Sequence, residues 1–214
     1  MKKLLVVLIL GLVAWLGTAF FCHGQTLQEK RWRAADLDPR FEHEAKLIVT
    51  RIMANAARYK AVDSDTCVPW YVIASLHNEE SDGDFRTHLH NGDPLTARTR
   101  NVPAGRPPTG RPPFTWEFSA TDALLYDHMD LVMWAWLDDT LYACERYNGT
   151  GYLKYHPTVP TPYIWNGTTI AVPGKYVSDG KWSSTARSSQ IGIAPLWKMM
   201  ESMGVLKFSR LKLK

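Results

Sequence analysis

The segment from Trp70 to Asp93, WYVIASLHNEESDGDFRTHLHNGD, concentrates the side chains that could move protons. Ile73, Leu76, His77 and Glu80 follow the i, i+3, i+4, i+7 spacing of one helix face. Asp65 and Thr66 are good N-cap types. Pro69 suits a first turn, where its missing N–H costs nothing, so the helix is expected to begin there. Glu80 then continues an apolar stripe to the helix end, just before the polar break Ser81-Asp82-Gly83-Asp84. Poor solvation disfavours the charged form of a carboxyl, which moves it toward the range a general acid needs near neutral pH. An exposed acid in a frayed last turn would have no such chemistry, and position alone leaves both readings open. Glu79 lies about 100° further round the helix and is expected in solvent.

Asp93 offers a second carboxylate, thirteen residues on, in the loop His88-Leu89-His90-Asn91-Gly92-Asp93-Pro94. It could hold a water molecule opposite Glu80 as a general base, or simply form the turn before Pro94. His77, His88, His90, Asp93 and Glu80 also invite a zinc reading. Against it, His88-x-His90 is a poor helical pair and no H-E-x-x-H run occurs, so His77 reads better as a residue behind Glu80. No G-x-S-x-G is present, and neither Cys67 nor Cys144 has an obvious histidine partner in sequence.

These residues carry a resemblance. The apolar helix ending in Glu-Ser, Ile73 to Ser81, is similar to the catalytic helix of the lysozyme-like superfamily, which includes goose-type lysozymes and soluble lytic transglycosylases. The segment Glu145-Arg146-Tyr147-Asn148-Gly149-Thr150-Gly151-Tyr152 resembles that superfamily's second signature. Together HNEES, THLHNGDPLTARTRNVPAGRPP, PPFTWE, ERYNGTGY and GKYVSDGKW, spread from about Val68 to Trp182, look like phage and bacterial lysozyme-family proteins of endolysin type.

The resemblance implies a mainly α fold, a single lysozyme-like domain with long loops. It implies a muramidase cleaving the β-1,4 bond between N-acetylmuramic acid and N-acetylglucosamine in peptidoglycan. Glu80 would be the general acid and Asp93 the water-positioning base, because goose-type enzymes carry acidic residues at comparable distances after the catalytic glutamate. His77, Tyr147 and Asn148 would meet the substrate. Helix capping by Asn148 and core packing by Tyr147 are the plainer reading of those two. No cofactor and no metal are implied. A lytic transglycosylase using the same Glu80, or a glycan-binding wall protein without catalysis, are the alternatives.

Composition sets the frame. The 214 residues suit one domain after a leader, with 45% hydrophobic content and nine Trp to build a core and a groove. Most of those Trp are expected in the core and a few could be sugar platforms. The net charge of +4 falls to about +2 without Lys2 and Lys3, which is no nucleic-acid footprint. The expected partners are peptidoglycan, which the resemblance implies, and no nucleic acid, with the chain expected to be a monomer. Lys2 and Lys3 precede an apolar run from Leu4 to Phe21, which reads as a signal peptide or signal-anchor over residues 1–24. Left uncleaved, residues 4–21 would hold the protein at the inner membrane; either way it would be exported to the periplasm or secreted. Export would leave Cys67 and Cys144 in an oxidising compartment, as a disulfide or as two small buried hydrophobes.

Elements follow from spacing. Residues 25–41 read as a linker and residues 42–214 as the domain. Helices are expected near Glu42–Tyr59, 119–128 (capped by Thr115 or Ser119), Met133–Tyr147 and Ser184–Met203. Asn148-Gly149 reads as a C-cap. Residues 83–118, with Gly-Arg-Pro-Pro at 105–108 and again at 110–113, form an extended loop. Residues 153–182 read as loop, and the basic tail Lys207 to Lys214 as solvated.

Overall fold

A computed structural model describes residues 26–178 and 180–208. The leader read over residues 1–24 and the end of the basic tail lie outside the described residues. The described part is mainly helical, with one two-stranded hairpin. None of its helices is long and apolar enough to cross a membrane.

Helices α1 (Leu27–Ala34), α2 (Glu42–Ala54), α3 (Ala56–Thr66) and α4 (Trp70–Ser81) form the first half. After a long loop come α5 (Trp116–Tyr126), α6 (Leu137–Tyr147) and the short α7 (Gly151–Tyr155) and α8 (Pro162–Trp165). Strands β1 (Lys175–Ser178) and β2 (Lys181–Ser183) pair antiparallel, and α9 (Ile193–Ser202) follows.

Helix α4 is the axis of the domain. Val72 to Asn78 are buried without interruption, so this helix is covered on all sides rather than along one stripe. α3 packs on both α4 and α5, while α9 packs on α2, α4 and α8. A helix so enclosed must satisfy its polar residues internally. Ser75 Oγ donates to the Tyr71 carbonyl and accepts from Trp197 Nε1 at 2.9 Å. Trp116, Trp165 and Trp197 are fully buried and Trp32 nearly so, which places these four in the core.

Several boundaries differ from expectation for identifiable reasons. Asp65 and Thr66 do not cap α4; they end α3, where Cys67 turns the chain with a left-handed φ of 59°. The α4 N-terminus is held instead by Asp63, whose Oδ2 accepts from Trp70 N–H. The expected helix Glu42–Tyr59 is two helices, broken at Asn55, whose Nδ2 donates to the Arg51 carbonyl. Thr115 caps α5 through the Phe118 N–H, so that helix starts at Trp116. Helix α6 starts four residues later than expected, after a 3-10 turn at Met129–Leu131. Asn148 is its C-cap and Gly149 follows with φ of +108°. α9 begins only at Ile193, and residues 153–182 include two strands that their loop-like composition hid. Cys67 and Cys144 are free thiols, one exposed and one buried.

The linker over residues 25–41 is the largest correction, since it contains α1. Thr26 caps this helix through the Glu29 N–H. Gln28 hydrogen-bonds the buried Glu145 of α6, and Arg31 donates to the Pro157 carbonyl. Trp32 packs edge-on to Phe208 with centroids 5.4 Å apart, beneath the Lys198 ammonium. The helix is polar in composition but its polar groups are spent on the domain. Trp32→Ala should therefore cost about 3–5 kcal/mol, as loss of a buried aromatic does. That lowers the thermal midpoint by about 10 °C for a chain of this size. A true linker would leave the midpoint of a thermal melt unchanged.

Candidate functional site

The last turn of α4 leaves the core. It is closed by a left-handed Asp82 (φ 52°) and Gly83 (φ 69°), with Gly83 N–H reaching the His77 carbonyl and Asp82 N–H the Asn78 carbonyl. A side chain on Gly83 would meet the Arg51 guanidinium at 3.4 Å, so the turn leaves little space there.

Glu80 sits at this end. Its Oε1 accepts a hydrogen bond from the Tyr163 hydroxyl of α8 at 2.8 Å. Burial pushes its carboxyl up to about 7; the Tyr163 bond pulls it down and the charge of Asp127 pushes it up. The acid on the apolar stripe is therefore proton-bearing near neutral pH, in the range where a general acid works. Asp127, at the C-cap of α5, is half-buried and also raised, mainly by burial, against the pull of Arg146, His128 and Arg106. Tyr147 lies near both acids: its buried hydroxyl is raised far above its ordinary value by burial and then by Glu80 and Asp127. That hydroxyl donates to the Leu89 carbonyl at 3.2 Å, pinning the loop after α4 against α6.

The other expected site residues have different partners. His77 is fully buried, with Nδ1 3.1 Å from the Tyr59 hydroxyl and its ring against Phe85 and Trp116. Burial pulls it down to about 4, so it is neutral; it supports the helix and does not meet substrate or Glu80. Asp93 is bound into its own loop. Oδ2 accepts from the backbone N–H groups of Arg100 and Asn101 at 2.7 and 2.9 Å, and Oδ1 accepts from the Asn101 side chain. These bonds hold its carboxyl below the usual range, with the Asn101 backbone N–H the largest contribution. Every bond favours a fixed, ionised loop anchor over a base that must bind and release protons. Asn148 is exposed beside the cavity described below.

The histidines after α4 act as loop pins. His88 Nδ1 is 2.6 Å from Ser119 Oγ and its Nε2 is 2.8 Å from the Ala97 carbonyl oxygen. His90 Nε2 meets Asp122, which Arg106 also grips. Among the described residues no group of three or more His, Cys, Asp and Glu is arranged to hold a metal ion.

Glu79 overturns the expectation of solvent. Its Oε1 is buried without a hydrogen-bond partner, and burial followed by the charges of Glu80 and Asp82 pushes its carboxyl well above the ordinary range. The residues that shield it come from far along the chain. Gln190 Nε2 donates to the Glu79 carbonyl at 2.8 Å, and α8 and the hairpin enclose a cavity of about 820 Å³ on this side. Glu79 and Tyr163 line that cavity; Glu80 does not. Tyr163 thus stands between the acid and the cavity. Nothing in the local spacing of Asp127, Tyr163 or the hairpin marks them as site residues, because only the tertiary fold brings them to the end of α4.

The chain matches no protein-family model, no curated protein and no solved structure.

The Tyr163 bond favours the ionised form of Glu80, so removing it should raise the Glu80 pKa further. Carboxyl-carbon NMR of Tyr163→Phe should show Glu80 titrating above the wild-type midpoint near 7. A midpoint that moves down would mean the hydroxyl chiefly stabilises the protonated acid.

Proposed function

We propose that the protein is a peptidoglycan glycan-strand hydrolase, a muramidase of lysozyme-like fold, with Glu80 as its general acid. The observation that carries this reading is the Glu80 carboxyl at the end of a buried helix, held near pKa 7 with a tyrosine hydroxyl on one oxygen. Such an acid can give its proton to a glycosidic oxygen as the bond to C1 breaks. The motif resemblance around Glu80 and around Tyr147 supplies the substrate class. Export through residues 1–24 is the corresponding proposal for how the enzyme meets its wall.

Asp127 replaces Asp93 as the second carboxylate. It stands on a different element from Glu80, and its charge reaches both Glu80 and Tyr147. In this reading Asp127 takes a proton from the water that attacks C1, while Glu80 protonates the departing oxygen. Asp93 keeps the loop over residues 88–101 in shape. If no carboxylate orders water, the sugar's own 6-hydroxyl attacks instead and an anhydro product forms.

Glu80→Gln should lower the turnover of purified peptidoglycan at least a hundredfold, about the scale of a lost general acid. Asp127→Asn should lose a comparable factor with the fold intact by circular dichroism. Asp93→Asn should retain turnover within about tenfold but melt earlier, since its loss is one of loop stability. Mass spectrometry of wild-type products made in ¹⁸O-water should find reducing muramic ends carrying solvent oxygen. Anhydro ends would turn the assignment to a lytic transglycosylase. An undegraded wall that still binds the protein would turn it to a glycan-binding protein.

A further inference from the structure

Helix α2 carries a stripe of mixed chemistry on its outer side. Glu44, Leu47, Ile48 and Arg51 recur at i, i+3, i+4 and i+7, so one face holds an acid, two aliphatic side chains and a guanidinium in that order. All four line a hollow of about 540 Å³, within the range of small-ligand sites. Its other wall is the end of α4, at Asn78 and Asp82, together with residues 189–191. Asn78 lies about 160° round α4 from Glu80, which puts this hollow on the opposite side of the helix from the proposed acid.

The charges here do not neutralise one another. Arg51 Nη2 donates to the Oδ1 of the buried Asn78 at 2.9 Å. Among the described residues no ion pair joins Arg51 to Glu44 or Asp82. Glu44 and Arg51 stand about 10 Å apart along the helix, too far to meet. The guanidinium lies against the turn after α4, where a Cβ on Gly83 would be 3.4 Å from its Nε. A guanidinium has five donor N–H groups, so most of this fork is left for a ligand. Leu47, between the two charges, is 59% exposed although it faces the hollow.

A peptide of three residues is also about 10 Å long when extended. We propose that this hollow binds a short peptide by its two free ends, the ammonium at Glu44 and the carboxylate at Arg51, with an aliphatic side chain on Leu47 and Ile48. The carboxylate then forms charge-assisted bonds with the guanidinium, and the aliphatic group covers exposed Leu47. Two acids face one guanidinium, so the hollow favours a ligand of net positive charge. Asp82 precedes Gly83 at the Arg51 end and is placed for an ammonium on the third residue. Free peptides fit this arrangement and the interior of a longer chain does not, because both termini are used. The site does not rest on the hydrolase reading, since it uses none of Glu80, Asp127 and Tyr147.

The test is isothermal titration of the full chain with the tripeptide Ala-Leu-Lys. Its N-acetylated and C-amidated forms should each bind at least fivefold more weakly than the free peptide. Glu44→Gln should weaken the free peptide at least fivefold and leave the acetylated one within twofold of its affinity for the wild type. Arg51→Gln should do the same for the free and amidated forms. Asp82→Asn, which tolerates the left-handed backbone at that position, should remove any preference for Ala-Leu-Lys over Ala-Leu-Ala, about threefold in the wild type. Leu47→Ser should weaken the free peptide about threefold. Arg51 also supports Asn78, so Glu44→Gln and Leu47→Ser, both at exposed positions, decide the matter if Arg51→Gln melts early. No binding at millimolar Ala-Leu-Lys, equal binding of free and blocked peptides, or a Glu44→Gln loss as large for the acetylated peptide as for the free one overturns the proposal. Peptidoglycan digestion is a separate measurement, and its success or failure leaves this site untouched.

Discussion

The desolvation of one helix terminus governs this structure. Helix α4 is enclosed from Val72 to Asn78, and its last turn delivers two adjacent carboxyls into surroundings that resist charge. A protein gains nothing in stability from this. Glu80 ionises near pH 7 in the fold and near pH 4.5 in the unfolded chain, so between those values the native state holds a proton that the unfolded state has lost. Stability is full below about pH 4.5 and falls as pH rises to 7 and beyond, by about 3 kcal/mol from this group. Glu79 acts in the same direction. Two groups that weaken the fold at neutral pH, side by side, are a cost that the proposed general-acid role of Glu80 would account for.

The neighbouring loop shows the opposite use of ionisable residues. His88, His90 and Asp93 are rich in ligand and catalytic potential when read as letters, yet the two histidines are consumed in holding the loop against α5 and Asp93 in holding the loop to itself. His88 spends both ring nitrogens on Ser119 and Ala97, His90 pairs with Asp122, and Asp93 collects the N–H groups of Arg100 and Asn101. The loop pairs part of its backbone with itself, as in the His88 N–H to the Asp93 carbonyl and the Leu95 N–H to the Arg86 carbonyl, and side chains supply further partners. The loop in turn covers the last turn of α4, where a Cβ on Gly92 would lie 3.5 Å from the Glu80 carbonyl oxygen.

Much of the helical skeleton and the position of Glu80 were legible in the sequence, because both follow from a local period. The apolar stripe Ile73, Leu76, His77 predicts the face on which Glu80 emerges, and the structure buries all three completely. Properties set by distant segments were not legible. Glu79 looked solvated because helical phase turns it away from that stripe, but the hairpin and Gln190, about a hundred residues on, close over it. Helix α1 looked like a linker because five of its eight residues are polar or charged, and no local pattern tells that Gln28 and Arg31 have partners on α6 and at Pro157. Asp127 had no signal at all; it follows α5 as an ordinary cap residue, and only the fold brings its charge to Glu80 and Tyr147.

The two glutamates also constrain each other. Adjacent carboxyls in poorly solvated surroundings resist simultaneous ionisation, so a proton on one favours charge on the other and the pair titrates as a unit. Tyr163 breaks the symmetry, because its hydroxyl donates to Glu80 and not to Glu79. The proton thus stays more firmly on Glu79, where no donor compensates a charge, and remains transferable on Glu80, where one does. Helical phase sends the first acid to the cavity and the second toward Asp127 and Tyr147. Two chemically identical residues on one turn thereby differ in their partners and in how firmly each holds its proton. The division requires only that α8 present the Tyr163 hydroxyl to Glu80 while Gln190 holds the backbone of Glu79 beside the cavity.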